Sequence, residues 1–128
     1  MRRPLTASAI AIAALAAPTA AIASGDDDAE VRKAGTCSDS SSSKIKVKED
    51  DGRLEVEFEV DQNVVGDTWK VKFKDGSDVV FKGTARTKAP SGSFSLERKI
   101  DDRAGTDDVT AVGKNRSTGE RCVAKASL

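Results

Sequence analysis

The stretch KIKVKEDDGRLEVEFEV, Lys44 to Val60, alternates charged and apolar side chains almost without error. A period of two is the signature of a half-buried strand. The stretch holds two such runs separated by Asp51-Gly52, the dipeptide that favours the centre of a type I′ hairpin turn. That turn sets the register. Asp50 faces Arg53, Lys48 faces Glu55, Lys46 faces Glu57 and Lys44 faces Glu59, while Val47 meets Val56 and Ile45 meets Phe58 on the other side. A slip of one residue would turn every valine to water. Each cross-strand pair contributes about 0.2–1 kcal/mol, with exposed ion pairs at the low end. The charged ladder therefore reads as register control and edge solubility.

Working outward, the same period recurs. Strands are expected near 44–50, 53–61, 67–75, 78–87, 92–100, 107–114 and 120–127, divided by turn residues such as Asp75-Gly76 and Pro90-Ser91-Gly92. In the strand after Gly66, Trp69, Val71 and Phe73 point one way and Lys70, Lys72 and Lys74 the other. Phe94, Leu96 and Ile100 supply a matching inward row that Arg98 interrupts, which calls for a bulge or a strand end there. The only tryptophan, Trp69, is expected to anchor the core. No apolar helical spacing follows the N-terminal segment. Short strands at regular intervals predict an all-β, seven-stranded immunoglobulin-like or fibronectin-III-like sandwich over residues 44–128.

The N-terminus predicts the compartment. Arg2-Arg3, the apolar run Leu5 to Ala17 and the small residues of Ala21-Ile22-Ala23 read as a cleaved signal peptide over residues 1–23. The run is shorter than the roughly 20 residues a membrane span needs. Residues 24–43, rich in Ser and Asp, are expected to form a flexible acidic arm. Loss of Arg2 and Arg3 tips a formally neutral chain slightly acidic, which argues against a nucleic-acid partner. No lipid or hydrophobic anchor is expected in the mature form, which should be secreted and monomeric. Cys37 and Cys122 are the only cysteines, and in an exported chain they are expected to pair. Closing so large a loop contributes up to about 4.5 kcal/mol by chain entropy.

Chemistry is sparse. The chain has no histidine and no tyrosine, and no CxxC spacing, so neither an enzyme nor a cofactor is expected. Asp101, Asp102, Asp107 and Asp108 flank a turn, where aspartates ordinarily cap and solvate; a calcium site is the alternative. Asn115-Arg116-Ser117 matches a glycosylation sequon. Glu55, Glu57, Glu59 and Asp61 should lie on one outer face. Lys70, Lys72 and Lys74, extended by Lys82 and Arg86, should lie on the other, making the domain electrically two-faced. Val64-Val65 forms an apolar spot in a loop, suited to touching a partner or capping the sandwich.

The segments VRKAGTC, KIKVKEDDGRLEVEFEVDQN, DTWKVKFKDG and STGERC, behind an alanine-rich export signal, resemble a group of small secreted actinobacterial proteins. The resemblance spans most of the mature chain. It implies an Ig-like sandwich with one terminal disulfide and carries over no functional residue. Enediyne-binding apoproteins and subtilisin-inhibitor-like proteins share size and compartment, but they carry two disulfides where this chain has cysteines for one. Three functions fit. The first is a non-catalytic module with an unidentified extracellular protein or surface partner. The second is a carrier of a small apolar ligand held near Trp69 and Phe73. The third is an enzyme or protease inhibitor acting through the loops 88–92 or 115–119. The first is the one expected.

Overall fold

The computed structural model describes residues 29–128. The expected signal peptide and Asp26-Asp27-Asp28 lie outside them. The described residues form no helix and nine strands: β1 (Glu30–Ala34), β2 (Thr36–Cys37), β3 (Ser42–Asp50), β4 (Arg53–Asp61), β5 (Thr68–Asp75), β6 (Asp78–Arg86), β7 (Ser93–Asp101), β8 (Asp108–Asn115) and β9 (Arg121–Ser127). They make two antiparallel sheets, ordered β1-β3-β4-β7 and β2-β9-β8-β5-β6. This is an Ig-like sandwich in which the seven expected strands, β3 to β9, are joined by two more.

The founding hairpin has the register its alternation requires. Asp50 pairs Arg53, Lys46 pairs Glu57, Lys44 pairs Glu59, Val47 pairs Val56 and Ile45 pairs Phe58. Asp51 and Gly52 both have positive φ, 52° and 80°, as a type I′ turn demands. The charges close only partly along this register. Lys44 Nζ lies 3.0 Å from Glu59 Oε2, but Asp50 turns to Lys99 at 3.0 Å and Arg53 to Asp101 at 3.6 Å. Both detours cross to β7, the other neighbour of β4.

Aromatic rings from both sheets meet at the centre of the core, beside small residues of β8 and β9. Phe58 packs edge-on against Phe73 and Phe94, with centroids 6.5 and 6.0 Å away. The strands β8 and β9 contribute the small core residues Ala111, Ala124 and Ala126, and Gly113 faces Phe58. A Cβ on Gly113 would come within 3.1 Å of Phe58 and 3.3 Å of Trp69. Trp69 is fully buried in this core, as are Val47, Val56 and Phe73. Such alternation of volume is how facing layers reach crystal-like density.

Two expectations need correcting. The arm over 24–43 was expected to be flexible and held only at Cys37, yet from Glu30 on much of it is paired strand. Glu30–Ala34 pair Lys48–Lys44, and Thr36–Cys37 pair Val123–Cys122. Only Val31 of β1 packs on the core, so this edge strand offers no apolar alternation to read. Between β1 and β2 the chain changes sheets at Gly35, whose N–H donates to the Ser43 carbonyl at 2.8 Å. A Cβ there would press on Ser43 Oγ and stand 2.5 Å from the Val123 carbonyl oxygen and 2.8 Å from Ala124 Cβ. Secondly, β7 neither bulges nor ends at Arg98, whose pairing with Val56 is regular. Because β7 is an edge, the inward-parity arginine reaches out over the Phe81 ring, 5.1 Å from its centroid. The real irregularity lies between Phe73 and Lys74, where β5 and β6 shift register.

Val47→Asp should lower stability by about 3–5 kcal/mol, since it leaves an unpaired charge in the core. Lys46→Ala should cost no more than about 0.5 kcal/mol. Urea midpoints of the two variants check this, and similar midpoints would mean the faces are reversed. Gly35→Ala should cost about 1–3 kcal/mol, because backbone lines the space its methyl would enter. A midpoint equal to that of the unaltered chain would show that the corner has room.

Candidate functional site

The outer face of the five-stranded sheet is basic. Alternation sends Lys70, Lys72 and Lys74 of β5 outward, and their cross-strand partners fall on the same side. Lys70 stands opposite Lys114, and Lys114 opposite Arg121, a row of three cations across β5, β8 and β9. Lys72 stands opposite Lys82 on β6. Lys125 and Arg86 lie farther out on the same face. Like charges directly opposite each other destabilise a sheet. Among the described residues, none of these cations forms an ion pair; the bridges that do form lie on the other sheet and at one end of the sandwich. A trough of about 780 Å³ runs over the face, lined by Lys70, Lys72, Lys82, Lys114, Arg116 and Arg121.

The opposite face departs from the two-faced expectation. Glu55, Glu57 and Glu59 lie outward as foreseen, but the hairpin register interleaves them with Lys44, Lys46 and Lys48, and β7 adds Lys99. Glu97, across from Glu57, has its carboxyl pushed above the usual range by burial and then by the charge and hydrogen bonding of Glu55. The domain thus has one basic face and one mixed face.

The loops 62–67, 87–92 and 115–120 share one end of the sandwich. A polar network holds them. Trp69 Nε1 donates to Gln62 Oε1 at 3.0 Å. Gln62 Nε2 and Asn115 Nδ2 both donate to Asp67 Oδ2, at 2.7 and 3.0 Å. Asn115 Oδ1 accepts from the backbone N–H of Ser117 and Thr118, at 2.7 and 3.1 Å. The Asn115 amide, then Gln62, keeps the Asp67 carboxyl below the usual aspartate range. Asn115 is completely buried and its amide committed, so the sequon serves as a turn anchor. Val64 and Val65 stand exposed beside this framework, at 48% and 55%. The inhibitor-like segments 88–92 and 115–119 are therefore held by hydrogen bonds and by the return of Gly92 onto Gln62 and Asn63.

At the other end the four aspartates singled out in the sequence do not converge. Asp101 reaches toward Arg53, and Asp108 accepts from Ser127 Oγ at 2.6 Å. Asp107 instead turns inward to Asp75 of β5 and to Asp102. Asp107 and Asp75 are 1% and 5% exposed, and an Oδ2 of each has no conventional donor. Burial first, then the neighbouring Asp75 carboxyl, pushes the Asp107 carboxyl above the usual aspartate range. Arg103 caps the group, with Nε 3.8 Å from Asp75 Oδ2 and Nη1 2.8 Å from Asp78 Oδ2. In the sequence Asp75 read only as half of the Asp75-Gly76 turn, since nothing local distinguishes it from the other turn aspartates.

Cys37 and Cys122 are bonded, and they stand directly opposite each other in β2 and β9 with Cα atoms 4.0 Å apart. Glu120 lies beside them, but its carboxylate accepts from Asp39 N, Ser41 N and Ser41 Oγ. With both sulfurs in the disulfide, the trio offers a cation only one anionic ligand, already committed. Trp69 and Phe73 are closed into the core and line no open cleft. No described helix is long and apolar enough to cross a membrane. Compared with known proteins, the chain matches no family model, no curated protein and no solved structure.

The acid pair has a signature in pH. In the folded state Asp107 gives up its proton at a higher pH than in the unfolded chain. The pair's contribution is full below that range and falls as pH rises through the higher folded value. Asp67 acts oppositely, losing its contribution in acid. Asp107→Asn carries a permanent donor for Asp75, so it should melt higher than the unaltered chain at about pH 8 and lose that advantage near pH 4. A constant difference between the two chains at both pH values would exclude a raised Asp107 carboxyl.

Proposed function

We propose that this is a secreted, non-catalytic Ig-like module that binds an anionic extracellular partner through the outer face of β9-β8-β5-β6. The observation that carries the reading is the cross-strand row Lys70–Lys114–Arg121 beside the pair Lys72–Lys82. A sheet optimised for its own stability would put opposite charges at those positions, as the β3–β4 hairpin does. Cations left without internal partners are suited to an external one, drawing it in and orienting it. The export signal read in residues 1–23 and the Cys37–Cys122 disulfide support an extracellular setting. The absence of histidine from the chain and the commitment of Trp69 and Phe73 to the core weigh against catalysis and against an apolar-ligand carrier.

The test reverses Lys70, Lys72 and Lys74 to glutamate together. Fold stability should hold or rise, because Lys72→Glu and Lys70→Glu turn like-charge pairs with Lys82 and Lys114 into opposite-charge ones. Capture of the extracellular partner by the immobilised protein should be abolished. Raising salt on the unaltered protein should weaken capture in parallel, since exposed charges are screened beyond about 10 Å at 0.1 M. Capture indifferent to both changes would discard the basic face and place recognition at Val64, Val65 and the adjoining loops.

A further inference from the structure

We infer that the occupant of the basic trough is a linear phosphate-bearing polymer lying across the outer face of β6, β5, β8 and β9. The inference rests on the reading of this face as the recognition surface. Neighbouring strands are about 4.8 Å apart and alternate residues along a strand about 6.8 Å apart. Lys70, Lys114 and Arg121 therefore form a closely spaced line of charge across the sheet, with Lys72 and Lys82 one step along the strands. A chain of regularly repeated anions matches a line of cations better than the irregular acidic surface of a folded protein does.

What the trough lacks narrows the class further. Its lining is Lys, Arg, Thr, Val and Gly, without an aromatic side chain. Protein interfaces draw much of their energy from buried aromatic and arginine anchors seated in pockets. Proteins that hold single-stranded nucleic acids stack the bases on aromatic rings. Neither device is present, so recognition is of backbone charge alone. Arg116 and Arg121 at one side of the trough add planar forks, whose paired N–H groups fit phosphate oxygens.

The experiment titrates the full mature chain with inorganic polyphosphate, short and long, by calorimetry over a range of salt. Affinity should rise with polymer length until the trough is filled. For flexible strands each neutralised phosphate contributes about 0.7 to the slope of log K against log salt, so six cations predict a slope of about −4. Lys114→Gln should make the slope shallower by about 0.7, whereas Lys46→Gln on the opposite sheet should leave it unchanged. A slope near −1, no dependence on length, or equal effects of the two substitutions would overturn the inference. Tighter binding to a sulfated polysaccharide of equal charge, or to anionic lipid vesicles, would overturn the phosphate polymer as occupant. If polyphosphate is ignored while the triple lysine reversal still abolishes capture, the polymer fails and the basic face stands. If the reversal changes nothing either, the face itself fails.

Discussion

Register is the constraint on which the sandwich depends. In β3 and β4 the side chains alternate so strictly that one pairing buries Ile45, Val47, Val56 and Phe58 together, while its neighbour by one residue would expose them all. The Asp51-Gly52 turn chooses between these pairings, because its two positive φ angles suit the twist of a two-residue hairpin. Once β4 is placed, its other edge sets β7, and Phe58 projects to the centre where Phe73 and Phe94 meet it. Beside Phe73 the second sheet then has to be thin, which is the role of Gly113, where a Cβ would crowd Phe58 and Trp69.

Much of this was legible because period-two alternation is a local signal. The seven strands from β3 to β9 start and stop within a residue or two of the expected limits, and the hairpin register agrees pair by pair. What escaped reading depends on partners distant in the chain. The strands β1 and β2 have almost no apolar side chains, and their pairing rests on backbone groups of β3 and β9. Arg98 looked like a fault in a strand because its solution, the Phe81 ring, lies on β6. The basic face was half visible. Lys70, Lys72 and Lys74 announce themselves, whereas Lys114 and Arg121 join them only through strand order. Even within the hairpin, Asp50 and Arg53 took ion-pair partners from β7, which two strands alone could not reveal.

The polar interior is divided between the two ends, and the ends respond oppositely to acid. Around Asp67 an ionised carboxylate is held by amide donors, and Trp69, Asn115 and three loops hang on it. Around Asp107 the carboxyl is pushed above its usual range by burial and then by Asp75. Buried polar groups of either kind stabilise only when satisfied, so each end constrains the loops that reach it. That gives the exposed Val64-Val65 segment a firm base, and it fixes the turn from Asp102 to Asp107 against the edge of β5.

The position of the disulfide also decides how the domain carries mechanical load. Cys37 and Cys122 enclose nearly all of the sandwich, with a separation of 85 residues, and face each other on adjacent strands. Tension applied between the two ends of the folded chain therefore passes from Cys37 through the sulfur bridge to Cys122, bypassing β3 to β8. Only β1 and the last residues of β9 can peel away, and Gly35 is where the peeling of β1 from β3 would stop against the second sheet. Most of the core, the row Lys70–Lys114–Arg121 and the loop cluster lie inside the closed loop, so a pull that strips the margins leaves them unextended, while Ala124 and Ala126 at the end of β9 lie outside it.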